Sequence, residues 1–106
     1  MKQKILSIPG VEYFGSWELL QGFLESRGNP PWRCDDDLKL SYSNIKHLNN
    51  LVSVGGDLYL RGTPIESLGS LQSVGGSLNL YGTPLAKEYT EQQIRKMVDV
   101  KGNIYL

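Results

Sequence analysis

A lone thiol, a lone imidazole and a run of three carboxylates are the groups in this sequence with reactive chemistry to offer. Cys34 could attack an electrophile only as a thiolate, and no motif beside it supplies a base, so it reads as a small buried or half-buried side chain. His47 could shuttle protons near neutral pH, but no neighbouring carboxylate or nucleophile activates it, and its place beside Leu48 suits a convex turn. Asp35, Asp36 and Asp37 invite a hard cation, yet successive carboxylates splay apart and no glycine-bearing calcium loop follows, which leaves a solvated acidic turn or a partner contact. The pairs Gly55-Gly56 and Gly75-Gly76 lack the Lys-Ser/Thr of a phosphate loop. No catalytic residue, metal ligand or cofactor is therefore assigned, and the chain is not expected to be an enzyme.

Recognition draws on other side chains. Tyrosine and arginine join a large desolvatable plane to hydrogen-bonding groups and dominate protein interfaces, which singles out Tyr59, Arg61, Tyr81 and Tyr105. Whether they meet depends on the elements that carry them, and those are legible from self-comparison. Asp37-Leu-Lys-Leu, Asp57-Leu-Tyr-Leu and Ser77-Leu-Asn-Leu recur at intervals of twenty residues, and Asn103-Ile-Tyr-Leu follows after twenty-six. Ile45, Ile65 and Leu85 keep the same register, as do Leu48 with Leu68, Leu51 with Leu71 and Val54 with Val74. Gly-Thr-Pro occurs at 62–64 and again at 82–84.

Within a unit, Leu58 and Leu60 alternate with period two, whereas Ile65, Leu68 and Leu71 fall every third residue. That spacing predicts a short strand followed by a helical turn. Thr63 and Thr83 stand where a hydroxyl could cap that turn, with Pro64 and Pro84 at its first position. The glycine pairs would permit positive φ where the chain turns into the next strand. No single unit can bury both its strand and its turn, so units must stack with strands parallel, about 4.8 Å apart. The expected fold is an α/β solenoid with a small parallel sheet. Its core is Leu38, Leu40, Ile45, Leu48, Leu51, Val54, their repeat equivalents Leu58, Leu60, Ile65, Leu68, Leu71, Val74, then Leu78, Leu80, Leu85, Ile94, Val98 and Ile104.

The segment Leu58-Tyr-Leu60-Arg-Gly-Thr63-Pro-Ile65 resembles the LxLxxNxL segment of the leucine-rich-repeat family, with Thr in the Asn place. Leu78 to Leu85 matches in the same way, and Leu38 to Ile45 does so with Ser43. The chain departs from the family in carrying Gly55 and Gly75 where a leucine usually stands three residues before the strand. The resemblance covers roughly two thirds of the chain and is similar to short repeats of small bacterial and bacteriophage proteins. It implies a right-handed coil, partner binding on the strand face, and a loop-bonding role for Ser43, Thr63 and Thr83.

A solenoid exposes apolar surface at each end and calls for caps. Ser16 is a candidate N-cap for a helix over residues 16–27, in which Trp17, Leu20 and Leu24 share a face with Leu19 and Phe23 beside it, and Gly28 is the stop. Pro30 and Pro31 make an extended connector in which Trp32 packs on the cap, and residues 5–8 read as a short extended segment. Residues 1–36 are thus expected to form an N-terminal cap and 37–106 the solenoid, in one domain. Thr90-Glu-Gln-Gln93 reads as a capping box, with Ile94, Met97 and Val98 as the apolar stripe of a C-terminal helix that accounts for the six extra residues. Ile104, Tyr105 and Leu106 form a final strand whose open edge would allow homodimerisation.

Alternation along the strands then sorts the outward side chains into three rows. Lys39, Tyr59, Asn79 and Tyr105 make one, Ser41, Arg61 and Tyr81 the next, and Asp37, Asp57, Ser77 and Asn103 the third. The expected partner-binding set is Tyr59, Arg61, Tyr81, Tyr105, Lys39, Asn79 and Asp57, and the competing view is a stacking ladder that only steadies the sheet.

Eleven Lys and Arg balance eleven Asp and Glu in 106 residues, so the basic footprint of a nucleic-acid binder is missing. One cysteine rules out an internal disulfide, and the apolar stretches are too short for a signal segment or membrane span. The chain is expected to be cytoplasmic, with a protein partner and neither nucleic acid nor membrane. The expected function is a protein-protein interaction module, such as a bacteriophage or bacterial accessory protein or inhibitor acting on a host factor. The alternative is a structural or self-assembling module.

Overall fold

The computed structural model describes residues 5–106, so residues 1–4 of the expected cap lie outside it. Strand β1 is Leu6–Ile8, followed by a 3-10 turn Val11–Tyr13, helix α1 at Trp17–Ser26 and strand β2 at Trp32–Cys34. Strands β3 (Leu38–Lys39), β4 (Leu51–Val54), β5 (Leu58–Tyr59), β6 (Ser73–Val74) and β7 (Leu78–Asn79) come next. Helices α2 (Pro84–Glu88) and α3 (Glu91–Met97) then precede β8 (Asp99–Val100) and β9 (Ile104–Tyr105).

The strands form two sheets, one of five in the order β1-β2-β4-β6-β8 and one of four in the order β3-β5-β7-β9, with every pairing parallel. The four-stranded sheet joins Leu38 to Leu58, Leu58 to Leu78 and Leu78 to Ile104, which is the sequence repeat turned into register. The five-stranded sheet was not expected. Its column runs Ile8, Cys34, Val54, Val74, Val100, and every member is buried.

Leu51, the repeat equivalent of Leu71 at the end of the expected helical turn, instead opens strand β4. The register of β4 against β2 shifts between Trp32 and Arg33, so that Trp32 faces Leu51 while Arg33 faces Ser53. A bulge adds one residue to a strand and breaks its alternation. Here it places Leu51 and Val54 on one face, both buried with half-exposed residues between them, in a strand that imitates a helical spacing.

Helical turns do not form in the first two units either. Residues 44–50 and 64–70 hold no helix, and Glu66 N donates across to Lys46 O at 3.0 Å. Asn49 and Gly69 take positive φ, 57° and 54°, at the same point of each unit. A left-handed residue closes each of these turns, whereas the equivalent Tyr89 of the third unit has negative φ and follows α2. Thr63 accordingly caps no helix, whereas Thr83 does: its hydroxyl accepts from Ala86 N at 3.2 Å at the start of α2. Ile65 and Leu68 reach the core without a helix.

Every core residue named from the sequence is buried, and Ile8, Trp32, Cys34 and Val100 join them from the unforeseen sheet. Helix α1 starts at Ser16, whose Oγ accepts from Leu19 N at 3.2 Å, and buries Leu20 and Leu24. It ends where Asn29 N reaches back to Leu24 O at 2.8 Å across Gly28 at φ 80°. Leu19, placed beside the apolar face, is instead 62% exposed. At α3, Thr90 and Gln93 form the reciprocal capping box. Met97, expected in its apolar stripe, is 47% exposed, because the helix stops there and Val98, one residue beyond, enters the core with Ile94. Trp32 is fully buried, its ring 6.0 Å from that of Trp17.

Neither glycine pair has positive φ; that conformation falls on Gly62 and Gly82, at 69° and 76°, with Tyr42 in the same place of the preceding unit at 63°. The pairs serve close approach instead. A Cβ on Gly55 would collide with the carbonyl of Asp35, one on Gly75 with the carbonyl of Gly55, and one on Gly102 would lie 2.6 Å from Ser77 Oγ. Glycine is therefore required at this place by the distance between neighbouring units.

Candidate functional site

The four-stranded sheet carries the rows of outward side chains. Register sets Lys39 beside Tyr59, Tyr59 beside Asn79 and Asn79 beside Tyr105. Arg61 follows β5 and Tyr81 follows β7, and the Arg61 guanidinium lies over the Tyr81 ring, 4.9 Å from its centroid. Tyr81 N donates to Asn79 Oδ1 at 3.0 Å, which fixes the amide and turns its Nδ2 donor the other way. Tyr81 and Tyr105 are 55% and 49% exposed. A hollow of about 390 Å³ lies among Arg61, Asn79, Tyr81, Ile104, Tyr105 and Leu106, so four of the residues singled out in sequence share one depression. Lys39 and Tyr59 do not line it.

Asp57 has internal work to do. Its Oδ1 accepts from Ser77 N at 2.7 Å and its Oδ2 from the Tyr59 hydroxyl at 3.0 Å. Asp37 Oδ1 accepts from Asp57 N at 2.7 Å, and Ser77 Oγ from Asn103 N at 3.1 Å. Asp37, Asp57 and Ser77 thus make a ladder in which each side chain bonds the backbone of the next unit, seated against Gly56, Gly76 and Gly102, where a Cβ would crowd it. The sequence showed these residues pointing outward but gave no sign that they close on the neighbouring backbone. Donating to Asp57 raises the pKa of Tyr59 above its ordinary value, because that bond and the adjacent negative charge both disfavour the phenolate.

Ser43, Thr63 and Thr83 occupy equivalent turns after the strands. Their hydroxyls donate to the carbonyls of Leu40, Leu60 and Leu80 at 2.6, 2.7 and 2.6 Å, and both threonines are buried. The same carbonyls accept from the residues' own backbone N–H at 3.1 to 3.2 Å, so each turn is closed twice.

The reactive groups are dispersed. Cys34 is buried in the five-stranded column, and burial pushes its thiol up to about 11, which leaves it protonated and unreactive near neutrality. Asp35 pairs with Arg33 at 3.3 Å while Asp37 serves the ladder. Among the described residues, no group of three His, Cys, Asp or Glu side chains comes together to hold a metal ion. His47 accepts from Asn49 N at 3.3 Å and borders a broader hollow of about 560 Å³ against α1, with Glu18, Gln21 and Lys46. No helix among the described residues is long and apolar enough to cross a membrane. No protein-family model, curated protein or solved structure matches the chain.

Proposed function

We propose that this chain is a short leucine-rich-repeat solenoid, a right-handed coil that binds a protein partner through its four-stranded face and catalyses nothing. The observation that carries the reading is the convergence of Arg61, Asn79, Tyr81 and Tyr105 on one hollow. Three of these are side-chain types that concentrate binding energy, and Arg61 is held over Tyr81 before any partner arrives, which lowers the ordering cost of association. A sheet of four strands spans only about 15 Å across, room for one loop, helix or strand of the partner. The setting that goes with this reading is the cytoplasm, and the role that of a bacterial or bacteriophage accessory protein or inhibitor of a host factor.

The test is capture from a lysate of the native host with the wild type and with Arg61→Ala/Tyr81→Ala/Tyr105→Ala in parallel. Those side chains are exposed, so the variant should keep its circular dichroism spectrum and lose the partner. A partner retained undiminished by the folded variant places the binding surface elsewhere.

A second reading has its own observation. Strand β9 stands at the margin of its sheet with β7 as its only neighbour, so one row of its backbone groups is unpaired among the described residues. Pairing between copies at this edge would make the chain a homodimer. Light scattering that gives a concentration-independent dimer, with no host protein captured, would favour self-assembly.

A further inference from the structure

The hollow on the strand face holds a positive charge that the chain does not answer. Ion pairs among the described residues join Arg33 to Asp35, Arg95 to Glu91 and Lys101 to Asp99. Arg95 also donates to the carbonyls of Val100 and Gly102. Arg61, by contrast, is an acceptor-free fork among the described residues, steadied only by the Tyr81 ring beneath it. Asn79 Nδ2 is a second donor without an acceptor there, on an amide whose oxygen is already bound to Tyr81 N. No Asp or Glu side chain lines the hollow, and the exposed parts of Tyr105 and Leu106 give it apolar surface.

A planar cation beside an amide donor fits a carboxylate bidentately, and the apolar surface fits an aliphatic side chain next to that carboxylate. Lys39 lies one strand over from Arg61 and two residues back along the pairing, a diagonal of about 8 Å. In an extended chain, side chains at alternate positions on one face lie about 7 Å apart. Resting on the binding reading above, we infer that the partner presents an extended acidic segment, with carboxylates at two alternate positions and an aliphatic residue at the next alternate position, so that all three share one face. One carboxylate pairs with Arg61 and Asn79, and the next lies towards Lys39.

The probe is the peptide acetyl-Gly-Leu-Ser-Glu-Ser-Glu-Gly-amide, titrated at low salt into the nitrogen-15-labelled full chain and followed by two-dimensional NMR, with its Gln-for-Glu counterpart as the neutral arm. The Glu peptide should shift the Arg61 Nε–H, the Asn79 side-chain amide and the Tyr81 and Tyr105 backbone signals, and bind about ten-fold or more tightly than the Gln peptide. Arg61→Gln should abolish that preference while the remaining spectrum stays unchanged, and added salt should weaken the Glu peptide alone. Equal affinity of both peptides at these residues overturns the acidic preference and leaves a binding face intact. Shifts confined to other surfaces, no shifts at all, or stronger shifts of the same signals by a single-stranded oligonucleotide also overturn the inference. The binding face itself stands or falls by the capture experiment.

Discussion

Gly75 stands against the backbone of the neighbouring unit with no room for a side chain, and replacing it with alanine turns that demand into a number. The new methyl would meet the carbonyl oxygen of Gly55 well inside contact and would lie 3.0 Å from its carbon. That obstacle is backbone and cannot rotate aside, because the surrounding peptides are tied by Gly75 N to Val54 O at 2.7 Å and Gly76 N to Gly56 O at 2.9 Å. Relief requires the two units to part locally, at an overpacking cost of about 1–3 kcal/mol. Weakening both hydrogen bonds adds about 0.5–1.5 kcal/mol each. The sum, roughly 2–6 kcal/mol, is a large share of the ~5–15 kcal/mol that holds a small domain together. At about 4 kcal/mol the melting temperature should fall by roughly 15–30 °C. Gly22 is the control: it sits inside α1 with nothing within 4 Å of a built Cβ, so Gly22→Ala should stabilise by about 0.5–1 kcal/mol. Urea unfolding followed by the fluorescence of buried Trp32 reads both. A Gly75→Ala variant within about 0.5 kcal/mol of wild type would refute the claim that unit spacing requires glycine there.

Other consequences concern single groups. Thr63→Val removes a buried hydroxyl that donates to Leu60 O but leaves that carbonyl its bond from Thr63 N, so chemical unfolding should register a loss of only about 0.5–1.5 kcal/mol. Cys34 should resist a thiol reagent at pH 8 in the native chain and react at once when the chain is unfolded; equal rates in the two states would contradict its burial. Because its folded pKa, about 11, exceeds the unfolded value of 9.0, the protonated thiol's contribution to stability is complete below pH 9 and is lost as pH rises through 11, which unfolding curves across that window should trace. The Tyr59 phenol should ionise above the ordinary tyrosine range and return towards it in Asp57→Asn, which keeps an acceptor for Ser77 N but removes the charge. A Tyr59 titration by NMR that does not change in that variant would rule out Asp57 as the cause.

The leucine positions announced their own register. Leu38, Leu58 and Leu78 lie side by side, and the twenty-residue interval alone predicted it. The second sheet stayed hidden because a bulge gives Leu51 and Val54 the spacing of a helix, and because its column passes through Cys34, whose burial was legible but not the strand that carries it. Glycine was visible at 55–56 and 75–76, but a sequence does not distinguish glycine needed for its backbone freedom from glycine needed for its missing Cβ; here the second holds, and the first applies at Gly62 and Gly82. Alternation was enough to put Arg61, Asn79, Tyr81 and Tyr105 on a common side. It gave no hint that Asp57 spends both carboxylate oxygens inside the chain, since its bond to Ser77 N exists only once the units are stacked.

The proposed binding wall exists only if strands twenty and twenty-six residues apart run side by side in one direction. Nuclear Overhauser contacts in the free chain test this without any partner. Inter-strand contacts linking Lys39 to Tyr59, Tyr59 to Asn79 and Asn79 to Tyr105 in the staggered amide-to-Hα pattern of parallel pairs are the predicted result. Close Hα-to-Hα contacts between these strands, the mark of antiparallel pairing, or contacts offset from this register would contradict it.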